Sequence, residues 1–487
     1  MTARSDRLVP TPTRAGALLP ALALLMSITG CTTFSADGGF DAVSQAARER
    51  LVEDGVRGPR DPARDTAAPR VGGLLPRAPS VREAGAIALL NHRGLQASFA
   101  ELRISEAELV QAGRLPNPTF SMLRASRLEG GVRDYKIEQA LTFNVFSLFT
   151  LPQVTKLERR RFEQTRHRVV LDMMELAADV RRAYFDAVAA GESLRYAGQV
   201  AQAADAGAEL AARMAQAGNW NRLRLAREQG FQADAVLRQA LAQQRLVAAR
   251  ERLTRLLGLW GAQTAFELPQ RLPDLPAEPA DRPDVEQAAL QQRIDIRMLR
   301  EQTEALAANL GLTRTTRFIN VLELGPARVL EGPRDSGYKN GYEVSLELPL
   351  FDWGGARVER AEALYRQALD TVAQAAIEAR SQVREAWHAY RSGYDVARHY
   401  RDDIVPLRKR IGDENLLRYN AMQIGVFELL ADARAQIASV DGYIDALKTF
   451  WIAQSDLEMA MVGRRSAAPA SPRSTVEAAV AAPPAAH

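Results

Sequence analysis

The fold is decided by residues 342–357, which read YEVSLELPLFDWGGAR. Apolar residues alternate with polar ones in the first half of this stretch. The apolar positions are Tyr342, Val344, Leu346, Leu348 and Leu350, and the polar ones are Glu343, Ser345 and Glu347. A period of two predicts a strand with one face against hydrocarbon or a core and the other against water. A helical pattern follows from Gly355, so the stretch predicts a strand that leads into a long helix.

The same pattern occurs earlier in the chain, from Tyr135. Its apolar positions are Tyr135, Ile137, Leu141, Phe143 and Val145, and its polar ones are Lys136, Glu138, Thr142 and Asn144, with Gln139 out of step. Positions 145 and 348 lie 203 residues apart (348 − 145), and so do Val180 and Val383 (383 − 180). A duplicated unit of about 200 residues exceeds the periods of solenoid repeats and indicates two halves of one fold.

Each predicted strand is followed by a helical hairpin. The first hairpin is predicted from Pro152, a good first-turn residue, to about Gly218, and back over 219–257. The second runs from Gly355 to about Tyr419 and then from Phe427 to Val462, with a kink or interruption expected at Pro406. A helix of about 65 residues would extend roughly 100 Å. Alanine-rich helices of this kind are also typical of ordinary coiled coils.

The remaining elements of the first half are weaker. Ser80 is predicted to cap a helix, with Glu83 three residues on. A poorly alternating strand is expected over 120–127, before a turn at Gly130-Gly131. Strands of about ten alternating residues suit an outer-membrane barrel, although a half-buried strand of a soluble antiparallel sheet has the same alternation. With only four candidate strands, a barrel needs strands from several protomers, so an oligomer is implied.

Composition excludes several classes of protein. The net charge is +4 over 487 residues, and basic and acidic residues are interleaved along the helices, so nucleic-acid binding is not expected. The five histidines have no metal-ligand spacing, and no nucleophile–base pair or phosphate-binding loop is evident. His388 and His399 could share a helix face, but a structural or exposed role is favoured over a metal site. No catalytic residue, metal or cofactor is predicted.

The N-terminus predicts the compartment. Arg4, Arg7 and Arg14 precede an apolar stretch over 15–28 that is shorter than the ~20 residues of a spanning helix, which indicates a secretory signal over 1–30. The small residues before Cys31 resemble a bacterial lipobox, so Cys31 is predicted to carry lipid. The alternative is an ordinary signal peptide that leaves a free thiol. An extended leader is expected over 31–79 and a disordered Ala- and Pro-rich tail over 464–487.

Two motifs are more specific than the periodicity. The first is PLFDWGGAR at 349–357, at the strand-to-helix junction, and the second is Arg418-Tyr419 leading into LLADAR at 429–434. With the openings of the two halves at Asn91 and Asp295, they resemble the outer-membrane efflux proteins typified by TolC, over 80–463. The predicted organisation is a first repeat at 80–265, a linker at 266–282 and a second repeat at 283–463.

The resemblance implies a mainly α fold with a small membrane β-barrel. In this family a homotrimer contributes four strands per protomer to one twelve-stranded barrel, continued by a long α-helical tunnel through the periplasm of a Gram-negative bacterium. Such a duct passively conducts cargo from an inner-membrane transporter and a periplasmic adaptor to the exterior. Type I protein secretion through the same architecture is an alternative, and a non-channel periplasmic coiled-coil lipoprotein scaffold is another. The cargo is left open.

The resemblance also implies functional positions. The residues expected to line the barrel lumen are Glu138, Asn144, Glu343 and Glu347. Those expected at the periplasmic gate or the adaptor contact are Gly218, Asn219, Met422, Gly425 and Glu428. Glu428 matches one carboxylate ring of TolC-like gates, whereas the other matching position is Ala431, next to Asp432. Met422 stands where the family usually has glycine. An ordinary solvated helix face is the alternative for Glu428.

Overall fold

The computed structural model describes residues 33–51, 73, 78–282, 284–318 and 321–463. The helices are α1 (Asp41–Leu51), α2 (Val81–Asn91), α3 (Arg93–Ala112), α4 (Val145–Gln216), α5 (Arg222–Leu257), α6 (Val285–Gln292), α7 (Ile294–Thr316), α8 (Gly355–His399), α9 (Val405–Asn420) and α10 (Val426–Val462). The strands are β1 (Thr119–Glu129), β2 (Val132–Asn144), β3 (Leu322–Gly332) and β4 (Lys339–Leu346). The predicted signal over 1–30, Cys31 and the tail from residue 464 lie outside the described residues. Within the described part of the chain, no helix is both long and apolar enough to cross a membrane.

The four strands form one antiparallel sheet in the order β1-β2-β3-β4. The β1–β2 hairpin turns on Gly130 and Gly131, both with positive φ (58° and 82°), as a two-residue hairpin that follows the twist of its strands requires. The central β2–β3 pair joins the first sequence repeat to the second. The predicted mainly α fold with a small sheet is therefore confirmed.

The chain divides into two compact units. Among described residues, the first contains 33–36, 104–162 and 307–362, which include all four strands, and the second contains 37–103, 163–306 and 363–463. Each unit takes segments from both repeats, because β2 of the first repeat pairs with β3 of the second. The repeats at 80–265 and 283–463 are therefore halves of a shared fold and do not form separate compact units.

The second unit has a continuous apolar core to which helices of both repeats contribute. Phe450 on α10 is fully buried and stacks on Tyr390 of α8, with ring centroids 5.5 Å apart. Trp451 stacks on Phe185 of α4 at the same separation. Aromatic pairs in such geometry contribute about 0.5–1.5 kcal/mol beyond the area they bury. Interlocked rings of this kind fix α8 and α10 against α4.

The expected extended leader is wrong over part of its length, because residues 41–51 form α1. Phe40, Val43 and Ala47 are at most 7% exposed and belong to the core of the second unit. The rings of Phe40 and Phe99 pack edge to face, with centroids 5.0 Å apart. The first turn is capped by Asp37, whose Oδ2 accepts from the backbone N–H of Asp41 at 2.8 Å. These three residues are spaced three and four positions apart, which puts them on one face of a helix. This pattern was not predicted because the segments around it are rich in Gly and Pro.

The strand ends also differ from the prediction. Val145 belongs to α4 instead of β2, because the Asn144 Oδ1 accepts from the Ser147 N–H at 2.9 Å and caps the helix. The helix therefore begins at Val145, seven residues before the predicted start at Pro152 (152 − 145). Leu348 and Leu350 lie beyond β4, which ends at Leu346. Pro349 has no N–H with which to continue the ladder.

Helix starts and interruptions follow the prediction more closely. Ser80 and Glu83 form the expected capping box at the start of α2, although this helix breaks at His92 before α3. The interruption expected near Pro406 is confirmed, since a π-helical turn at Tyr400–Ile404 separates α8 from α9. Proline at the first turn of α9 needs no intrahelical donor, so the break falls just before it.

The openings of the two halves hold the ends of the helical hairpins by different chemistry. Asn91 donates from Nδ2 to the carbonyl of Gly258, at the end of α5, at 2.6 Å. In the second half the Asp295 carboxylate orients Arg293, which donates from Nη1 to the carbonyl of Ala460 near the end of α10 at 3.1 Å. Both groups satisfy carbonyls that a helix end leaves without a partner.

Candidate functional site: a two-faced sheet and two hairpin tips

The register gives the sheet two chemically distinct faces. Residues directly opposite each other in an antiparallel pair share a face. One face carries Phe120, Met122, Ile137, Leu141, Phe143, Leu322, Leu324, Leu330, Tyr342, Val344 and Leu346. The other carries mainly polar or small residues, with Leu123 and Val329 as apolar exceptions; its polar and small members include Thr119, Ser121, Glu138, Ala140, Thr142, Asn144, Glu323, Gly325, Ala327, Gly341, Glu343 and Ser345. We call these the apolar face and the polar face.

The apolar face is largely open to the surroundings in the single chain. Tyr342 is 79% exposed, Phe120 63% and Val344 54%. A contiguous exposed apolar surface of this kind marks contact with a membrane or with another protein. The apolar exposure continues past the strands at the helix end of the sheet, where Phe351 and Trp353 are also exposed.

All four predicted lumen residues fall on the polar face, although one of them also has a structural role. Glu138 and Glu343 lie on it by register, and Glu347 continues the same alternation one step after Ser345. Asn144 also lies on this face, but its side chain caps α4. The polar face is built from small residues at one crowded point, since a Cβ at Gly325 would stand 1.8 Å from the carbonyl oxygen of Leu141. Sequence alternation alone could not indicate that constraint.

The two edges of the sheet, β1 and β4, have no partner strand within the described chain. Edges of 11 and 8 residues present rows of N–H and C=O groups that pair readily with a further strand. An edge strand with an apolar face is normally covered or paired in a native assembly.

The two hairpin tips share one backbone motif. After α4, the N–H of Asn219 donates to the carbonyl of Met214 and that of Gly218 to Ala215. After α9, the N–H of Gln423 donates to the carbonyl of Arg418 and that of Met422 to Tyr419. Each of these residues lies 204 positions after its counterpart in the first tip (422 − 218). This pair of bonds closes a helix end around one residue in the left-handed region. Gly218 has φ 78° and Met422 has φ 59°, so the two tips, one in each sequence repeat, close with the same geometry.

Met422 is the only described non-glycine residue with positive φ, and it is 94% exposed. A side chain in this region costs roughly 1–2 kcal/mol, of which about half is offset by the lower chain entropy of the unfolded state. Met422→Gly is therefore expected to stabilise this tip by about 0.5–1 kcal/mol, raising its protection from amide exchange. Ala421→Gly is the matched control, because Ala421 has ordinary negative φ, and it should lower protection. Equal effects of the two changes would contradict a strained Met422.

The second tip also places the predicted carboxylates. Gly425 is the N-cap of α10 and offers no side-chain cap, and Glu428 is exposed in the first turn. A helix N-terminus favours negative charge there. Asp432 is engaged by Asn415 of α9, which donates to its Oδ2. Glu428 has no ion pair among the described residues, so its carboxylate is available to a binding partner.

A buried ion pair just behind the tips was missed by sequence reasoning. The Arg434 Nη2 of α10 donates to both carboxylate oxygens of Glu228 on α5, each at 2.9 Å. The Glu228 side chain is 2% exposed and that of Arg434 35%. The Arg434 Cζ also lies 4.2 Å from the ring centroid of Phe231. Arg434 stands in the quoted LLADAR motif, but no local spacing could reveal a partner 206 residues away.

A small apolar cluster lies next to the Glu228–Arg434 ion pair and shares Phe231 with it. It contains Val200, Ala201, Ala204 and Ala235, with Tyr196, Phe231 and Ile437 packed against it. Burial raises the pKa of Asp441, an effect that Arg238 opposes. Burial, with Asp441 nearby, also raises the pKa of Tyr196 to about 12. Tyr196 therefore stays a neutral phenol at physiological pH and adds no charge to the helix contact.

His388 and His399 lie beside one open depression on α8, together with Arg391 and Asp395. His399 Nδ1 is 2.8 Å from Asp403 Oδ2, an exposed pair one helical turn apart. In the described ranges, no three His, Cys, Asp or Glu side chains are grouped so that they could hold a metal ion.

Comparisons with known proteins agree with this geometry. Residues 86–259 match the family model described as outer membrane efflux protein. The cobalt-zinc-cadmium resistance protein CzcC of Cupriavidus metallidurans is 27% identical over 264 residues, which are 53% of this chain and 60% of the relative. The chain thus spans about three fifths of the length of the curated relative it matches.

Solved structures show the same fold. The structure of CusC, a protein that forms a transmembrane channel, is 20% identical in sequence with a TM-score of 0.66, covering 80% of this chain and 94% of CusC. The CmeC outer membrane channel of Campylobacter jejuni is 16% identical with a TM-score of 0.66, covering 78% of this chain and 85% of CmeC. The MtrE outer membrane channel of Neisseria gonorrhoeae is 19% identical with a TM-score of 0.66, covering 79% of this chain and 89% of MtrE. These similarities establish the fold that the sequence motifs predicted.

Proposed function

We infer that this chain, which carries an outer membrane efflux protein domain over residues 86–259 and has the fold of outer-membrane efflux channels, is the exit duct of a tripartite efflux system. The observation that carries the proposal is the two-faced sheet. Its apolar face suits contact with lipid, and its opposite face, with Glu138 and Glu343, suits contact with water. A packed enzyme core or a simple coiled-coil spacer needs no such sheet.

Closure of the sheet requires other copies of the chain. Four strands cannot enclose a water-filled lumen, whereas three protomers joined β4 to β1 give twelve strands without a free edge. The long unpaired edges of β1 and β4 support this assembly, as does the fold shared with CusC, CmeC and MtrE. The proposed active form is therefore a homotrimer in the outer membrane, with the helices forming a tunnel in the periplasm.

The proposed mechanism is passive conduction. Cargo delivered by an inner-membrane transporter and a periplasmic adaptor moves through water along the polar face and leaves without chemical change. Lipidation at Cys31 would add an anchor to the barrel. The similarity to CzcC, a cobalt-zinc-cadmium resistance protein, supports a role of the system in metal resistance. The transporter would select the cargo.

Glu428 is proposed to line the closed periplasmic end. Its exposed carboxylate stands in the first turn after the α9–α10 tip, where three copies around an axis would form an acidic ring. Glu428→Ala is expected to raise the resting single-channel conductance several-fold, because both the charge and the side-chain bulk leave the constriction.

Glu428→Asp is the control for this change, since it keeps the charge and the favourable position at the helix N-terminus. It should leave resting conductance near that of the unmodified protein. Recordings in planar bilayers that show the same resting conductance for Glu428→Ala and the unmodified protein would remove Glu428 from the gate. They would leave it a solvated residue on a helix face.

A further inference from the structure

The apolar face carries three charged residues among those whose side chains the structure describes, and all three are arginines. They are Arg124, opposite Ile137, Arg133, opposite Leu128, and Arg328, opposite Gln139. The acidic residues of the paired strands fall on the other face. Those that are described there are Asp134, Glu138, Glu323, Glu331 and Glu343. Closing the sheet β4 to β1 brings no acid to the apolar face, so its charge is purely positive.

These arginines lie toward the hairpin end of the sheet. Arg328 is six residues along β3 from Leu322, the helix-end row, and thus about 20 Å from it along the strand. Arg124 shares a row with Ile137 and Leu330, about 27 Å from the same start. With strands tilted about 40°, these rows lie about 15 and 21 Å from Leu322 along the barrel axis. Exposed apolar residues continue on the helix side of Leu322 as far as Phe351, so both rows fall in the half nearer the hairpins of an apolar band about 25 Å tall, where the cost of an outward arginine decreases toward ~0–1 kcal/mol.

The local contacts orient the guanidinium groups and leave donors available. Arg328 donates from Nε to the Gln139 Oε1 at 2.6 Å, and its Cζ lies 4.9 Å from the ring centroid of Tyr338. The Cζ of Arg124 lies 6.0 Å from the ring centroid of Tyr135. None of the three arginines forms an ion pair with a described carboxylate. Tyrosines at this level match the aromatic girdle at a membrane interface.

We propose that Arg124, Arg133 and Arg328 bind the phosphate groups of a phosphorylated glycolipid, lipid A, in the outer leaflet. This inference rests on the proposed membrane insertion of the sheet. The planar fork of arginine matches phosphate oxygens bidentately, which the lysine ammonium does not. Both lysines of the sheet, Lys136 and Lys339, lie on the polar face together with Arg127, whereas every described cation of the apolar face is an arginine.

The test compares two matched triple variants of the full-length protein, inserted in phosphatidylcholine vesicles with or without purified lipid A. One variant is Arg124→Gln with Arg133→Gln and Arg328→Gln, on the apolar face. The control is Arg127→Gln with Lys136→Gln and Lys339→Gln, which removes three cations from the polar face. Lipid A should raise the thermal unfolding midpoint of the unmodified protein and of the control. The arginine variant should need about tenfold more lipid A for the same shift, as expected when charge-assisted hydrogen bonds are lost.

Two further lipids separate the sources of negative charge. Dephosphorylated lipid A keeps the acyl chains and should give no shift, and phosphatidylglycerol should give a smaller one. A full shift with either lipid, or an arginine variant that responds like the unmodified protein, would overturn the proposal. Should the triple variant not fold, Arg328→Gln alone serves, because it removes only the hydrogen bond to Gln139 and the contact with the Tyr338 ring.

Failure of the duct itself would look different. Ion conductance in phosphatidylcholine alone depends on insertion and closure of the sheet and not on lipid A. An unmodified protein that conducts there but ignores lipid A would overturn only the glycolipid site. A protein that neither inserts nor conducts would overturn the proposed function on which the site rests.

Discussion

Val344→Arg is expected to prevent assembly of the trimer. Val344 lies within β4 on the apolar face, opposite Leu324, and is 54% exposed in the single chain. A charged residue on the lipid face near the middle of the membrane costs about 2–4 kcal/mol. Since each of three protomers would carry the change, the cost in the assembly is multiplied. The amount of trimer recovered from outer-membrane fractions should fall to a small remainder.

Ser345→Arg is the matched control. Ser345 is the next residue of the same strand, opposite Glu323 on the polar face, where an arginine would meet water and an acidic neighbour. Normal trimer recovery is expected for this variant. Equal recovery of the two variants would show that the faces do not differ in their surroundings, and the membrane assignment of the sheet would then be wrong.

Arg434→Met is expected to loosen both hairpins near their tips. It would leave the Glu228 carboxylate, 2% exposed, without its counter-charge. Breaking a buried pair by removing one partner costs about 3–5 kcal/mol, and the lower end applies here because Arg434 is itself about a third exposed. Amide exchange in the tip segments of α5 and α10 should accelerate by roughly two orders of magnitude, since about 1.4 kcal/mol corresponds to a factor of ten.

The double variant Glu228→Met with Arg434→Met distinguishes an ion pair from simple packing. Replacing a buried pair by apolar residues of similar volume is often neutral, so protection should largely return. If the double variant exchanges as fast as Arg434→Met alone, the arginine acts through its contact with the Phe231 ring and not through Glu228.

The alternation of polarity was sufficient to predict β2 and β4 and their two faces. The alternation in the sequence predicted that the neighbouring residues Val344 and Glu343 lie on opposite faces, and the strand register shows that they do. The strand ends could not be predicted in the same way, because the Asn144 cap and the missing donor of Pro349 terminate the strands locally while the polarity pattern continues.

β3 shows a harder limit of sequence reasoning. Gly325 and Pro326 lie inside a strand that has partners on both sides, and such residues normally argue against a central strand. Pairing with β2 lapses around these two residues and resumes at Leu324 opposite Phe143. The ladder on either side holds the strand in place despite its local composition.

Long-range partners were also beyond the sequence. Met422 could be matched to Gly218 because a repeat supplies the comparison, and the tip motif confirmed the match. The pair Glu228–Arg434 has no such internal guide, since one partner belongs to each repeat. Contacts of this type depend on how the two hairpins pack and not on any local pattern.

Ion conductance of the purified full-length protein in planar lipid bilayers tests the duct most directly. Discrete channels of reproducible size are predicted, small at rest and larger in Glu428→Ala. A protein that attaches to the bilayer but stays silent in both forms would contradict the duct and favour the periplasmic scaffold.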